Sequence, residues 1–176
     1  ISGTLAFCAG GSTTLDAGAG YASYLWSTGA TTQTISVSNA TSVSVTVTNA
    51  AGCSGTSASV TTTVNAVSAA PTSITSSVAF ASTGVNFTLS VNGGSLGTGA
   101  TWKWYKGSCG GTLIGTGASI SVSQTANTTY FVRAEGTCNT TACATITVSS
   151  QCGATGVTSS AGTTAICAGS PVTLTV

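Results

Sequence analysis

Seven cysteines, at positions 8, 53, 109, 138, 143, 152 and 167, are the side chains with the most chemistry to offer in this sequence. No histidine is present to share a metal with them. Only Cys138 and Cys143 stand at short spacing, whereas a cysteine-only zinc site needs two such pairs. The sulfurs are therefore read as disulfides, which persist in oxidising surroundings outside the cytoplasm. Charge is nearly absent: Asp16, Lys103, Lys106, Arg133 and Glu135 are the five ionised side chains of 176 residues, and the two carboxylates are far apart in the chain. General acid and base chemistry has almost nothing to run on. We expect no enzyme, no catalytic residue, no cofactor and no metal site. A net charge of +1 cannot neutralise phosphates or hold anionic lipid, so nucleic acid is not an expected partner. No stretch approaches the roughly 18 apolar residues of a membrane-spanning helix, so membrane insertion is not expected either.

The elements that must position the sulfurs are strands. Ser and Thr supply 63 residues and Gly 23, while the usual helix builders are scarce. Val43, Val45 and Val47 alternate with Ser42, Ser44, Thr46 and Thr48, the pattern of a strand with one face in a core and a hydroxyl face in water. Similar runs at 13–17, 24–27, 34–37 and 58–64 are bounded by Gly, Asn or Ser at regular short spacing, as in a β-sandwich. Alternation lapses from 67 to 75, around Pro71, and a second series follows at 87–91, 102–106, 120–122, 130–134 and 146–148.

Internal repetition sets the domains. Ala6-Phe7-Cys8-Ala9-Gly10-Gly11-Ser12-Thr13-Thr14-Leu15 matches Ala165-Ile166-Cys167-Ala168-Gly169-Ser170-Pro171-Val172-Thr173-Leu174 without a gap, and Ala79-Phe80-Ala81 with Phe87-Thr88-Leu89 is a weaker copy. The sequence is divided into a repeat at 1–68, a repeat of a second type at 69–151, and a linker with the first strand of an incomplete third at 152–176. One strand cannot bury its own apolar face. Either the molecule continues beyond Val176, or this strand completes the sheet of another subunit. The ends of the sequence, with neither an initiating Met nor a leader pattern at Ile1, read as those of an internal piece of a longer protein.

Cys8, Trp26 and Cys53 follow the order in which an immunoglobulin-like sandwich packs an aromatic against an inter-sheet crosslink. Strands near 13, 24, 34 and 43 give four reversals between the two cysteines, which places both at one pole and pairs Cys8 with Cys53. Such a closure stabilises by about 3 to 5 kcal/mol on the chain-entropy model. In the second repeat the same count puts Ala81, Cys109, Cys138 and Cys143 at one pole, with Ala81 in the slot that holds cysteine elsewhere. Three cysteines remain for one bond: Cys109 with Cys143, or alternatively Cys109 with Cys138. Cys152 and Cys167 are left without an assigned partner. Along Trp102-Lys103-Trp104-Tyr105 both tryptophans face the core and Lys103 and Tyr105 face out; Lys103 and Glu135 form a cross-strand ion pair. Tyr21, Tyr105 and Phe131 are the aromatics read as exposed and able to touch a surface glycan. Four Asn-X-Thr patterns begin at Asn39, Asn86, Asn127 and Asn139, as a chain this rich in Thr produces by chance.

Tyr24-Leu25-Trp26-Ser27-Thr28-Gly29, with Val45-Thr46-Val47-Thr48-Asn49-Ala50-Ala51-Gly52-Cys53, resembles the tandem immunoglobulin-like or PKD-like repeats of very large Bacteroidetes surface proteins, including the SprB-type gliding adhesins. Trp104-Tyr105-Lys106-Gly107-Ser108-Cys109 with Tyr130-Phe131-Val132-Arg133-Ala134-Glu135-Gly136-Thr137-Cys138 is similar to a second repeat type of those proteins. The resemblance implies an extracellular, cell-surface filament or adhesin exported by type IX secretion, with neighbouring repeats of the same long chain, and other copies in a filament, as partners. The expected function is extension and attachment. The alternatives are a passive stalk of a secreted multidomain protein and a fibre subunit that exchanges its strand at 165–176.

Overall fold

The computed structural model describes residues 1–151 and the backbone of 158–159 and 162–163. The expected third repeat, Cys152, Cys167 and the exchanging strand at 165–176 lie outside the described residues. Every regular element among the described residues is a strand, as the β-branched composition demands. The chain divides into two units, Ile1–Val67 and Ser68–Val176.

In the first unit β1 (Ala6–Cys8), β2 (Thr13–Asp16), β3 (Ser23–Trp26), β4 (Thr34–Val37), β5 (Ser42–Val43), β6 (Val45–Thr48), β7 (Ser54–Thr56), β8 (Val60–Thr61) and β9 (Thr63–Asn65) follow in order. β2 pairs antiparallel with β4; β6 lies between β3 and β7; β5 pairs with β8, and β1 runs parallel to β9. Period-two alternation sends Leu15, Trp26, Ile35, Val37, Val43 and Val45 into one core. Thr62, between β8 and β9, is buried: its hydroxyl donates to Asn39 O at 2.9 Å and accepts from Thr41 N at 3.1 Å, so its polar atom is satisfied.

The Cys8–Cys53 bond does not form. Cys53 is a free, exposed thiol, and Cys8 is disulfide-bonded elsewhere. The reason lies between β3 and β4. Chain direction reverses at Gly29, with Trp26 N donating to Ala30 O, and the chain runs back to Gln33, whose carbonyl accepts from Ala17 N. This fifth passage forms no strand, so counting strands misses it. With an odd number of passages the cysteines stand at opposite ends: Cys8 opposite Asn65 at the end of β9, and Cys53 in the Asn49–Cys53 turn between β6 and β7.

The second unit comprises β10 (Ser73–Ser76), β11 (Phe80–Ser82), β12 (Phe87–Asn92), β13 (Thr101–Lys106), β14 (Thr112–Thr116), β15 (Ser119–Val122), β16 (Thr128–Glu135) and β17 (Ala144–Gln151). One sheet has the order β10-β12-β15, the other β11-β17-β16-β13-β14. Phe87, Leu89, Trp102, Trp104, Tyr130, Val132 and Val148 fill the space between them. Tyr130 hydroxyl donates to Gln124 Oε1, and Gln124 Nε2 donates to Val148 O, so the polar atoms beneath the core are paired. Burial pushes the Tyr130 hydroxyl pKa up. Ala81 does not share a pole with Cys143. It opposes Ser150 near the end of β17, whereas Cys143 precedes the first residue of that strand.

Both units anchor their central tryptophan in the same way. Trp26 Nε1 donates to Thr32 O and Trp104 Nε1 to Gly117 O, each at 2.8 Å, and in each case a strand begins two residues later. The acceptor is six residues on in the first unit and thirteen in the second. β14 occupies the longer connection.

Candidate functional site

The outward face of β13, β16 and β17 gathers three of the five charged side chains. β13 pairs with β16 so that Lys103 opposes Arg133 and Tyr105 opposes Phe131. Alternation sends these four, with Glu135, away from the core. Glu135 is the hub. Its Oε2 lies 2.8 Å from Lys103 Nζ, and its Oε1 accepts from Arg133 Nε at 2.8 Å and from the Tyr105 hydroxyl. Arg133 Nη2 is 2.7 Å from Oε1, and its guanidinium lies 5.2 Å from the Tyr105 ring centroid. The Lys103 hydrogen bond, then that of Tyr105, holds the Glu135 carboxyl at about 2, well below the usual value. The carboxylate in turn raises the pKa of Lys103 and of Arg133 through its hydrogen bonds. Tyr105 is raised first by burial and then by its bond to Glu135.

A loop lies across this face. Cys109, between β13 and β14, is joined to Cys143 with Cα atoms 6.1 Å apart, so the bond with Cys143 is the one formed and Cys138 takes no part in it. Residues 107–111 thereby fold back over the sheet. Gly110 is required where the loop meets Arg133: its φ is +78°, and a Cβ there would stand 3.0 Å from Nη2. Cys109 Sγ is 3.7 Å from Arg133 Nη1.

The three aromatics expected at the surface are not brought together. Tyr21 is in the first unit, 43% exposed, edge-on to Tyr24 at 5.9 Å. Phe131 is half-buried. Tyr105 faces out, as alternation requires, yet is only 6% exposed, with the Arg133 guanidinium over its ring; it offers no ring for stacking. Glu135 is ionised and engaged by three side chains, which makes it a clamp on the sheet rather than a base. Asp16 is also a local brace, accepting from Gln33 Nε2 and then from Gly18 N, which lower its pKa. In the sequence Asn139 stands out only for its Asn-Thr-Thr pattern. Its amide bonds both backbone groups of Ser68, at 2.8 and 2.9 Å, a long-range contact that no local signal announces. Among the described residues no three His, Cys, Asp or Glu gather as metal ligands, and no helix is long and apolar enough to cross a membrane.

Residues 69–151 match the family model described as "Ig-like domain CHU_C associated". No curated protein matches the chain. Among solved structures, murine CEACAM1b is similar at a TM-score of 0.54 and 10% identity, over 84% of this chain and 95% of that one. The amphioxus IgVJ-C2 molecule gives 0.46 and 12%, over 82% and 99%. At such identity the likeness to CEACAM1b concerns the fold alone. With a buried tryptophan in each core, on β3 and on β13, a domain model matched over residues 69–151 and a fold shared with CEACAM1b, the chain has the fold of tandem immunoglobulin-like β-sandwiches.

Proposed function

We propose that this chain is a segment of a secreted, surface-displayed repeat filament or adhesin whose work is extension and attachment. The observation that carries the reading is the repetition of one self-contained sandwich plan, each copy with its own core and the same tryptophan anchor, over a surface almost free of charge. The test replaces this segment, in the producing cell's full protein, by two unrelated immunoglobulin-like domains. Lost attachment with normal display supports a contact role; full attachment makes the segment a passive stalk. Attachment through these hydroxyl faces changes little with ionic strength, since few charges are available to screen; steep loss in moderate salt counts against it.

A second reading, a fibre subunit that exchanges its strand at 165–176, gains support from one feature. Among the described residues β4 is an edge of its sheet, and it carries neither a charge nor a proline to deter pairing.

A further inference from the structure

We propose that the outer edge of β4 is the acceptor for residues Pro171–Val176 of a second copy of this chain; the inference rests on the strand-exchange reading above and names its docking site. Leu15 and Thr13 oppose Ile35 and Val37 across the β2–β4 ladder, and Ala17 N bonds Gln33 O, so the odd residues of β4 spend their backbone groups on β2. Asp16 exchanges both its backbone bonds with Ser2 on the far side of β2, which fixes the same parity. Thr34, Ser36 and Ser38 therefore direct their N–H and C=O groups to the open side. Among the described residues only Thr34 O finds a partner there, the Thr32 hydroxyl at 2.6 Å.

Beside this edge runs a groove of about 440 Å³, with Thr28, Ala30 and Thr32 of the short connection on it and Ser36, Ser38 and Asn39 along the strand. No further strand among the described residues fills it. In the second unit the matching strand, β15, directs Ser119 and Ser121 outward by the same parity, since Val91 N bonds Ala118 O. There β14 stands alongside: a Cβ on Gly115 would fall 2.8 Å from Ile120 Cγ2, and Ile114 packs onto the core. Among the described residues β4 has no strand packed alongside it in this way.

The occupant is identified by sequence. Ala165–Leu174 repeats Ala6–Leu15, so Val172 and Leu174 stand where β2 has Thr13 and Leu15, the residues it turns inward against β4. Residues 171–176 thus repeat the sequence of the segment that β4 already pairs with on its other side. They alternate Val172, Leu174 and Val176 with Thr173 and Thr175, bear no charge to oppose an uncharged edge, and satisfy the period-two rule for adding one face to a core.

Sedimentation of the 176-residue chain over a range of concentrations tests this, with circular dichroism to verify folding of each variant. Self-association is expected. Ser36→Pro, which removes an outward N–H and leaves the β2 ladder intact, and Leu174→Asp should each weaken association by about tenfold or more. Ser121→Pro, at the flanked edge of β15, should leave it unchanged. A synthetic peptide of residues 165–176 should compete, and should compete less well with the Ser36→Pro chain. A chain monomeric at every concentration that also fails to bind the peptide overturns both the strand-exchange reading and this site. Association lost with Leu174→Asp but unaffected by Ser36→Pro overturns β4 as the acceptor while strand exchange stands. If Ser36→Pro unfolds, the decision passes to the peptide, whose crosslinking to residues of β15 rather than β4 overturns the site.

Discussion

The two units share a plan and differ in one connection. Each hangs its central tryptophan on a carbonyl two residues before the next strand, but the link is six residues in the first unit and thirteen in the second. The extra length becomes β14, which extends one sheet and flanks β15 of the other. It also supplies the turn carrying Cys109, and hence the loop pinned against Arg133. Among the described residues the first unit has neither, and its β4 edge stays open. One loop length thus decides whether this strand has a neighbour packed along its flank.

The largest effect tests the independence of the two cores. Trp26→Ala and Trp104→Ala should each cost about 3 to 5 kcal/mol, as large aromatic truncations in cores do. Calorimetry should show each variant lowering a different transition; one shared transition falling in both would break the comparison. Next, replacing Cys109 and Cys143 together by Ser should destabilise the second unit by about 2 to 4 kcal/mol and, by releasing Arg133 from the loop, uncover Tyr105 to solvent quenchers, with the first unit's melting unchanged. Tyrosine accessibility that stays at the wild-type level would mean the loop lies down without its crosslink.

Removing the hub is smaller. Glu135→Gln should cost the second unit about 1 to 3 kcal/mol, the range for hydrogen bonds to a charged group. The sign with pH follows from a carboxyl whose pKa is lower folded than unfolded. Its contribution is complete above the ordinary carboxylate value near 4.5 and drains away as pH falls toward 2. Acid titration should therefore show this loss in the wild-type second unit and not in Glu135→Gln; equal losses in both would assign the effect elsewhere. Least of all, Cys53→Ser should alter stability by no more than about 0.5 kcal/mol, as at exposed sites without partners, and alkylation without reductant should label Cys53 in peptide maps. A protected Cys53 would restore the bond that the strand count proposed.

Much of the scaffold was legible because alternation is local. The valines at 43, 45 and 47, Ile35 and Val37 of β4, and the Trp102 and Trp104 pair all declare their inward face through neighbours one and two residues away. β14 was not, since Thr-Leu-Ile-Gly-Thr is short, contains glycine and shifts register beside Trp104 and Tyr105. Lys103 with Glu135 could be read across two strands whose order the fold class supplies, and the structure contains that pair. Asn139 gripping Ser68 spans 71 residues and had no such guide.

By itself the sequence determined a charge-poor, disulfide-bearing array of sandwiches, because composition and period-two patterning act residue by residue and need no knowledge of distant partners. Tertiary structure alone decided which cysteines meet, that Tyr105 is covered and that β4 is left open among the described residues. Each of those outcomes depends on how often the chain crosses the sandwich and on what folds back over its faces. A passage such as 30–33, which crosses without becoming a strand, leaves no periodic mark to count.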